Sequence, residues 1–216
     1  MTSGDTSGDT SGVAARARLL PSGEPRPTYT LEALLDVAVR VFTERGYDGT
    51  SFQHLSHASG LSKSSIYHHI ESKEQLLRLG LERALEPLMA STAEPGATTG
   101  PAIDRLTHLV RRNVEILADR LPYVTLLLNV HGNTETERWA LGQRRTYDKI
   151  VAGVVEAAIG EGSIRADVEA HTIARLVFGM INSVREWYRP DRGMTPDELA
   201  DLVCSMVLEG ILVRSA

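Results

Sequence analysis

The sequence predicts an all-α protein of about nine helices, and three observations lead there. Alternating Val/Ile/Thr/aromatic runs are almost absent, so no stretch reads as a strand. Ala, Leu, Arg and Glu instead recur at i, i+3, i+4 and i+7 through most of the chain. Capping residues and Gly or Pro punctuate that pattern at helix-length intervals.

Composition sets the outer limits. A chain of 216 residues, 42% hydrophobic and 24% charged, has ordinary globular content and can bury a sizeable core. A net charge of −5 excludes a polycation. The one cysteine, Cys204, excludes an intramolecular disulfide and a multi-cysteine metal site. No run approaches the ~18 apolar residues of a membrane span, and no signal-peptide core opens the chain. A cytoplasmic location and no membrane partner are therefore expected.

Taken in order, residues 1–12 repeat Gly, Ser, Thr and Asp, a composition expected to stay disordered. Arg16, Arg18 and Arg26 follow among prolines, either as a basic arm toward DNA or as a solvated linker. Together residues 1–27 form an N-terminal arm. Leu31, Leu34, Leu35, Ala38, Val41 and Phe42 make one stripe of a helix from about Thr28 to Arg45, closed by Gly46. Thr50 with Gln53 fits a capping box, and Ser51 alone is also a good N-cap, for a second helix. Gly60 makes a turn and Leu61 plugs it. Ser62 caps a third helix to Ile70, with Ile66 and Ile70 inward. Ser72 and Gln75 open the fourth, in which Pro87 should cause a kink or an end.

Residues 91–100 read as a loop. Pro101 opens a helix bearing Ile103, Leu106, Val110, Val114 and Leu117, and Leu121-Pro122 breaks it. A short apolar helix covers Tyr123 to Val130, and a long one Thr134 to Ile159. Asp167 caps the next, to Tyr188, and Thr195, Pro196 and Glu198 start the last, to about Val213.

Function concentrates in residues 50–75, where two short helices flank a tight turn. This is helix-turn-helix spacing, which places one exposed helix in the DNA major groove. Lys63, Ser64 and Ser65 supply short donors and acceptors near that helix's N-terminus. Thr50, Ser51, Tyr67, His68, His69, Ser72 and Lys73 supply the hydroxyls, imidazoles, cations and capped helix ends that hold phosphates. The capping hydroxyls also have a plainer use, since every helix needs a cap. One feature runs against expectation: residues 28–75 carry six Asp/Glu against four Lys/Arg, where a basic patch is usual. That balance predicts modest non-specific affinity with a shallow salt dependence.

The run SGLSKSSIYHHIESKEQLL resembles the turn, recognition helix and fourth-helix start of the TetR family of bacterial transcriptional regulators. The resemblance extends over the chain from about residue 28. It implies a helix-turn-helix DNA-binding domain at 28–75 and a helical effector-binding and dimerisation domain at 76–216. It also implies a homodimer on palindromic double-stranded operator DNA, and repression commonly released by a small-molecule effector. In that family the last two long helices pair across a two-fold axis. Here those carry Ile173, Leu176, Val177, Met180, Ile181 and Leu199, Leu202, Val203, Met206, Val207, Ile211, with Gly179 and Gly210 allowing close approach.

Polar residues on otherwise apolar helices are the candidate effector ligands: Asn113, Tyr123, Asn129, Arg145, Tyr147, Asn182, Arg185 and Trp187, besides His108 and His131. The segments LGQRRTYDKI and INSVREWYRPDRGMTPDEL resemble TetR members that respond to acyl-CoA thioesters. Arg144, Arg145 and Arg185 suit phosphates, and Leu126–Leu128 suits an acyl chain. No nucleophile elbow, HExxH or phosphate loop occurs, so neither an enzyme nor a cofactor is expected. The alternative is a helical small-molecule-binding protein or enzyme that does not bind DNA.

Overall fold

A computed structural model describes residues 30–211. The 1–27 arm, the expected helix start at Thr28 and the end at Val213 lie outside that range. Among the described residues there are ten helices: α1 (Leu31–Arg45), α2 (Phe52–Ser59), α3 (Lys63–Tyr67), α4 (Lys73–Ser91), α5 (Pro95–Thr98), α6 (Ala102–Asp119), α7 (Leu121–Leu128), α8 (Glu135–Gly160), α9 (Ala170–Trp187) and α10 (Pro196–Ile211). An isolated β-bridge joins Arg189 and Arg192.

Helices α1–α3 close around Leu34, Leu35, Phe42, Leu55, Ile66 and Ile70, all buried. Each fully buried Leu or Phe contributes roughly 1.5–3 kcal/mol relative to exposure. Helix α4 then joins two regions. It packs on α1 at one end and on α6, α7 and α8 beyond. In the larger region α10 lies along α6, and α8 along α6 and α9. Their shared core includes Leu106, Leu109, Leu117, Tyr147, Val155, Ile181 and Val203. Gly80 lets α1, α4 and α7 meet: a Cβ there would stand 3.0 Å from both Val39 Cγ2 and Leu126 Cδ2. Gly80→Val is expected to lower stability by about 1–3 kcal/mol through overpacking, read as a lower midpoint in thermal or urea denaturation.

Several boundaries differ from the sequence reading. Residues 91–100 are not simply a loop. Helix α4 runs to Ser91, and Pro95 at the first helical position starts the short α5, which is the tenth helix. Helix α3 ends at Tyr67, not Ile70, because His68 and His69 close a tighter turn on Ile66, with His69 N donating to Ile66 O at 2.9 Å. Asp167 does not cap α9. It forms a forked pair with Arg165, and Glu169 accepts from Thr172 N instead.

Pro87 neither ends α4 nor leaves it unsatisfied. A proline removes the hydrogen bond to the carbonyl four residues earlier, here Arg83 O. That carbonyl accepts from Arg120 Nη1 at 3.4 Å, at the α6–α7 junction. The vacancy in the helix ladder is filled by a side chain from the residue that joins two other helices.

On α9 and α10 the apolar residues divide into two sets. Ile173, Val177, Ile181, Leu199, Val203 and Val207 are buried within the chain, while Leu176, Met180, Leu202 and Met206 are exposed, Leu176 by 68% and Met206 by 60%. Nothing lies within 4 Å of a Cβ built at Gly179 or Gly210. The two helices thus build an internal core with one face and hold out an uncovered apolar stripe with the other.

Candidate functional site: a recognition helix and a helix-lined cavity

The turn before α3 is held by short local bonds. Gly60 adopts φ +70°, a left-handed conformation that side chains disfavour. Ser56 Oγ donates to Leu61 O, and Leu61 N donates to Ser59 Oγ at 3.2 Å. Ser62 Oγ accepts from Ser65 N at 3.1 Å and also meets the hydroxyls of Ser64 and Ser65. Burial of Ile66 turns the opposite side of α3 outward. Lys63, Ser64, Tyr67 and His68 are consequently exposed, and Ser65 and His69 are half-buried. The Tyr67 ring lies against Phe52, with centroids 4.7 Å apart, and Lys63 Nζ sits 5.9 Å from the Tyr67 centroid. Aromatic contact therefore sets the direction of both side chains before any ligand arrives.

The flanking residues divide by burial. Ser51 is exposed and caps α2: its hydroxyl accepts from His54 N, while His54 Nδ1 accepts from Ser51 N. That His closes the capping box where Gln53 was expected to. Thr50 is buried, with its hydroxyl donating to Gly46 O at 2.8 Å, so its side chain faces the fold. Ser72 is exposed and accepts from Gln75 N at α4, and Gln75 Oε1 accepts from Glu71 N at 2.7 Å. Lys73 is partly spent on structure. Its ammonium donates to Tyr47 O and Thr50 O, both at 2.8 Å, and stands 4.1 Å over the Tyr47 ring. Burial lowers the Lys73 pKa, with Asp48 opposing. The same surroundings push the Tyr47 phenol up to about 12, through burial first and Glu74 and Asp48 next.

The acidic excess of residues 28–75 finds its place here. Four of the six carboxylates bond to the larger region. Asp36 accepts from Tyr123 Oη, Glu32 from Arg83, Asp48 from Asn133 Nδ2 at 2.9 Å and Glu74 from Thr136 Oγ1 at 2.8 Å. They tie α1 to α4 and α7, the α1–α2 connection to the turn before α8, and the first turn of α4 to α8, and leave the exposed side of α3 to hydroxyls, imidazole and Lys63.

A cavity of about 290 Å³ opens between α4, α6, α7, α8 and α9. Ala84, Leu88, Leu117, Leu127 and Phe178 give it apolar walls, and Asn113, Arg144, Tyr147, Asp148, Arg175 and Asn182 supply polar groups. The Tyr147 hydroxyl is buried and has no hydrogen-bond partner. Burial raises its pKa to about 12, against the pull of the nearby Ser91 and Asn113 side chains, so it is a neutral phenol with unused bonding capacity. Burial also raises the Asp148 pKa, with Arg144 and Arg175 opposing, and lowers that of Arg144.

Of the eight effector candidates, Asn113, Tyr147 and Asn182 meet in this cavity. The other five do not line it. Tyr123 is committed to Asp36. Asn129 accepts from Arg185 Nη1 at 3.0 Å, and Arg185 also pairs with Glu186. Arg145 points to an outer groove, and Trp187 is exposed by 52%. His108 belongs to an ion-pair cluster with Glu94 and Arg112. The polar lining residues absent from that set are Asp148, Arg175 and Arg144, the last named from sequence only as suited to phosphates. The spacing of Arg144 and Asp148 by one helical turn around Tyr147 was the available signal.

Comparisons with known proteins agree with this layout. Residues 34–79 match the family model described as "Bacterial regulatory proteins, tetR family", and residues 99–211 match "Tetracyclin repressor-like, C-terminal domain". The crystal structure of SCO3833, a TetR-family regulator from Streptomyces coelicolor A3, is 53% identical with a TM-score of 0.79, over 89% of this chain and 96% of that one. The transcriptional repressor KstR2 of Rhodococcus jostii (strain RHA1) is 28% identical over 82% of this chain and 89% of its own. The crystal structure of AibR in complex with isovaleryl coenzyme A and operator DNA is 26% identical, with a TM-score of 0.68, over 82% and 96%. These matches set aside the reading of a helical enzyme or ligand carrier without DNA. Both halves of the architecture, the helix-turn-helix and the helical region behind it, are accounted for: the chain belongs to the TetR family of bacterial transcriptional regulators.

Proposed function

We propose that the protein is a cytoplasmic repressor that binds a palindromic operator as a homodimer and leaves it when a hydrophobic metabolite, such as an acyl-CoA thioester, occupies the cavity. The observation that carries this reading is α4. Its first turn holds Ser72 and Lys73 beside the recognition helix, and its last turns place Ala84 and Leu88 in the cavity wall. One rigid element thus touches both sites. A ligand that favours a different α4 position lowers operator affinity by its differential affinity for the two states. The ligand-bound AibR structure supports the ligand class.

The domains follow as residues 28–75 for DNA and 76–216 for effector and partner, with α4 shared across the boundary. Lys63, Ser64 and Ser65 read bases. Ser51, Tyr67, His68, His69, Ser72 and the third donor of Lys73 hold phosphates, and Thr50 acts through the backbone it braces. Asn113, Tyr147 and Asn182 orient the effector.

The test is fluorescence anisotropy with DNA from upstream of the protein's own gene, with and without a panel of acyl-CoAs. Nanomolar, salt-dependent binding that at least one acyl-CoA reverses is expected. No binding to that DNA, or binding that no member of the panel reverses, overturns the corresponding half. Tyr67→Ala is expected to weaken binding about tenfold or more, the size of a lost charge-assisted hydrogen bond to phosphate. Sedimentation should show its dimer unchanged.

A further inference from the structure

The start of α8 meets the DNA-binding region through polar and aromatic side chains. Thr136 and Trp139 stand three residues apart on one face of α8, and Glu74, Arg78 and Glu82 stand four apart on one face of α4. Between these rows Thr136 Oγ1 donates to Glu74 Oε1 at 2.8 Å. One turn on, the Arg78 guanidinium carbon lies 3.3 Å from the centre of the Trp139 ring. Arg78 Nε also donates to Glu82 Oε1 at 2.6 Å, which limits where the guanidinium can go. Just before the cap of α8, Asn133 Nδ2 donates to Asp48 in the α1–α2 connection at 2.9 Å.

The α8 side of these contacts is rigid. Thr136 and Glu137, both in its first turn, are buried. Glu137 Oε2 accepts from Asn133 N at 2.6 Å and from Thr134 N at 3.1 Å, and Arg138 Nη1 donates to Gly132 O and Asn133 O. A buried carboxylate that holds two backbone N–H groups leaves that turn little freedom. The seam itself is of another kind. Elsewhere α4 buries Leu76, Leu77, Leu81 and Leu85, and close-packed apolar side chains slide only by opening voids. Along α8 the contacts are few and directional, so small displacements can remake them. A planar guanidinium over an indole depends on relative position throughout.

We infer that the start of α8 is a clasp on the DNA-binding region and that Arg78 and Trp139 form its moving joint. Trp139 is thereby a positioning residue for operator binding: it sets the angle at which α4 presents α3. This rests on the protein binding operator DNA, and it gives the α4 lever a second support.

The test is a double-mutant cycle on the full-length dimer, with DNA from upstream of the protein's own gene. Arg78→Met and Trp139→Leu are each expected to weaken operator binding by about two- to thirtyfold, the range of one cation–π contact. The double variant should bind no more weakly than the more affected single one. Trp139→Tyr, which keeps a ring face, should stay within about twofold of the unaltered protein. Additive losses, or losses confined to the melting temperature, overturn the inference and leave a packing contact only. A second readout needs no disruptive change. The sequence holds two tryptophans, so Trp187→Phe, at an exposed position on α9, leaves Trp139 as the sole indole. Its emission should change in step with operator binding. Emission that stays constant while anisotropy rises overturns the moving joint. If the unaltered protein binds no such DNA, the operator reading and this inference fall together.

Discussion

Charging the exposed apolar stripe, with Leu176→Glu and Met206→Glu together, is expected to leave a folded monomer that binds operator about 10²–10⁴-fold more weakly, the avidity lost when one of two linked sites disappears. The two side chains are exposed by 68% and 60% in the single chain, so their replacement removes nothing from its own core. Their neighbours on the inward faces, Val177 and Val203, are buried and stay in place. In a two-fold pairing each new carboxylate meets its own copy or the other across the axis, where like charges in a desolvated seam are costly. Two recognition helices can enter successive grooves only when something holds them about 34–36 Å apart. Sedimentation velocity reads the assembly and anisotropy reads the affinity. A double variant that remains dimeric would show that pairing uses another surface.

The second large effect is on stability. Leu77 is fully buried on α4. Leu77→Ala is expected to cost about 2–5 kcal/mol through lost transfer energy and a residual cavity. At roughly 2–4 °C per kcal/mol for a domain of this size, the melting temperature should fall by about 4–20 °C, measured by circular dichroism. Leu202→Ala on the outward face is the control in the monomeric background, where little change is expected. A Leu77 variant that melts with the unaltered protein would mean that α4 repacks and is not the rigid lever assigned to it.

What the sequence shows of this fold depends on how local each cause is. Ser51, Ser62, Ser72 and Thr134 cap helices within three residues of themselves, so the helix starts were legible. The outward set on α3 was legible because Ile66 must point inward. Pro87 was not, because its rescue comes from Arg120, and the receiving carbonyl lies 37 residues from that side chain. Five of the eight effector candidates lie away from the cavity for a similar reason. Any polar residue on an apolar helix qualifies by sequence, and only the packing of α6 against α8 and α9 brings Asn113, Tyr147 and Asn182 together. Tyr123 and Arg185 carry the same chemistry and are used up elsewhere, by Asp36 and by Asn129. Asp148 and Arg175 show no hydropathy signal of their own, and their meaning comes from the space between two helices.

The anchoring of Asp36, Glu32, Asp48 and Glu74 to the larger region bears on portability. A helix-turn-helix cut out at residue 75 would bare four carboxylates whose partners Arg83, Tyr123, Asn133 and Thr136 stay behind. The excised piece would lose its bracing and also gain a repulsive fringe toward phosphate. Grafting this reading head onto a foreign body therefore requires that body to supply matching donors, and a chimera that fails to do so should repel the DNA its recognition helix was chosen to bind.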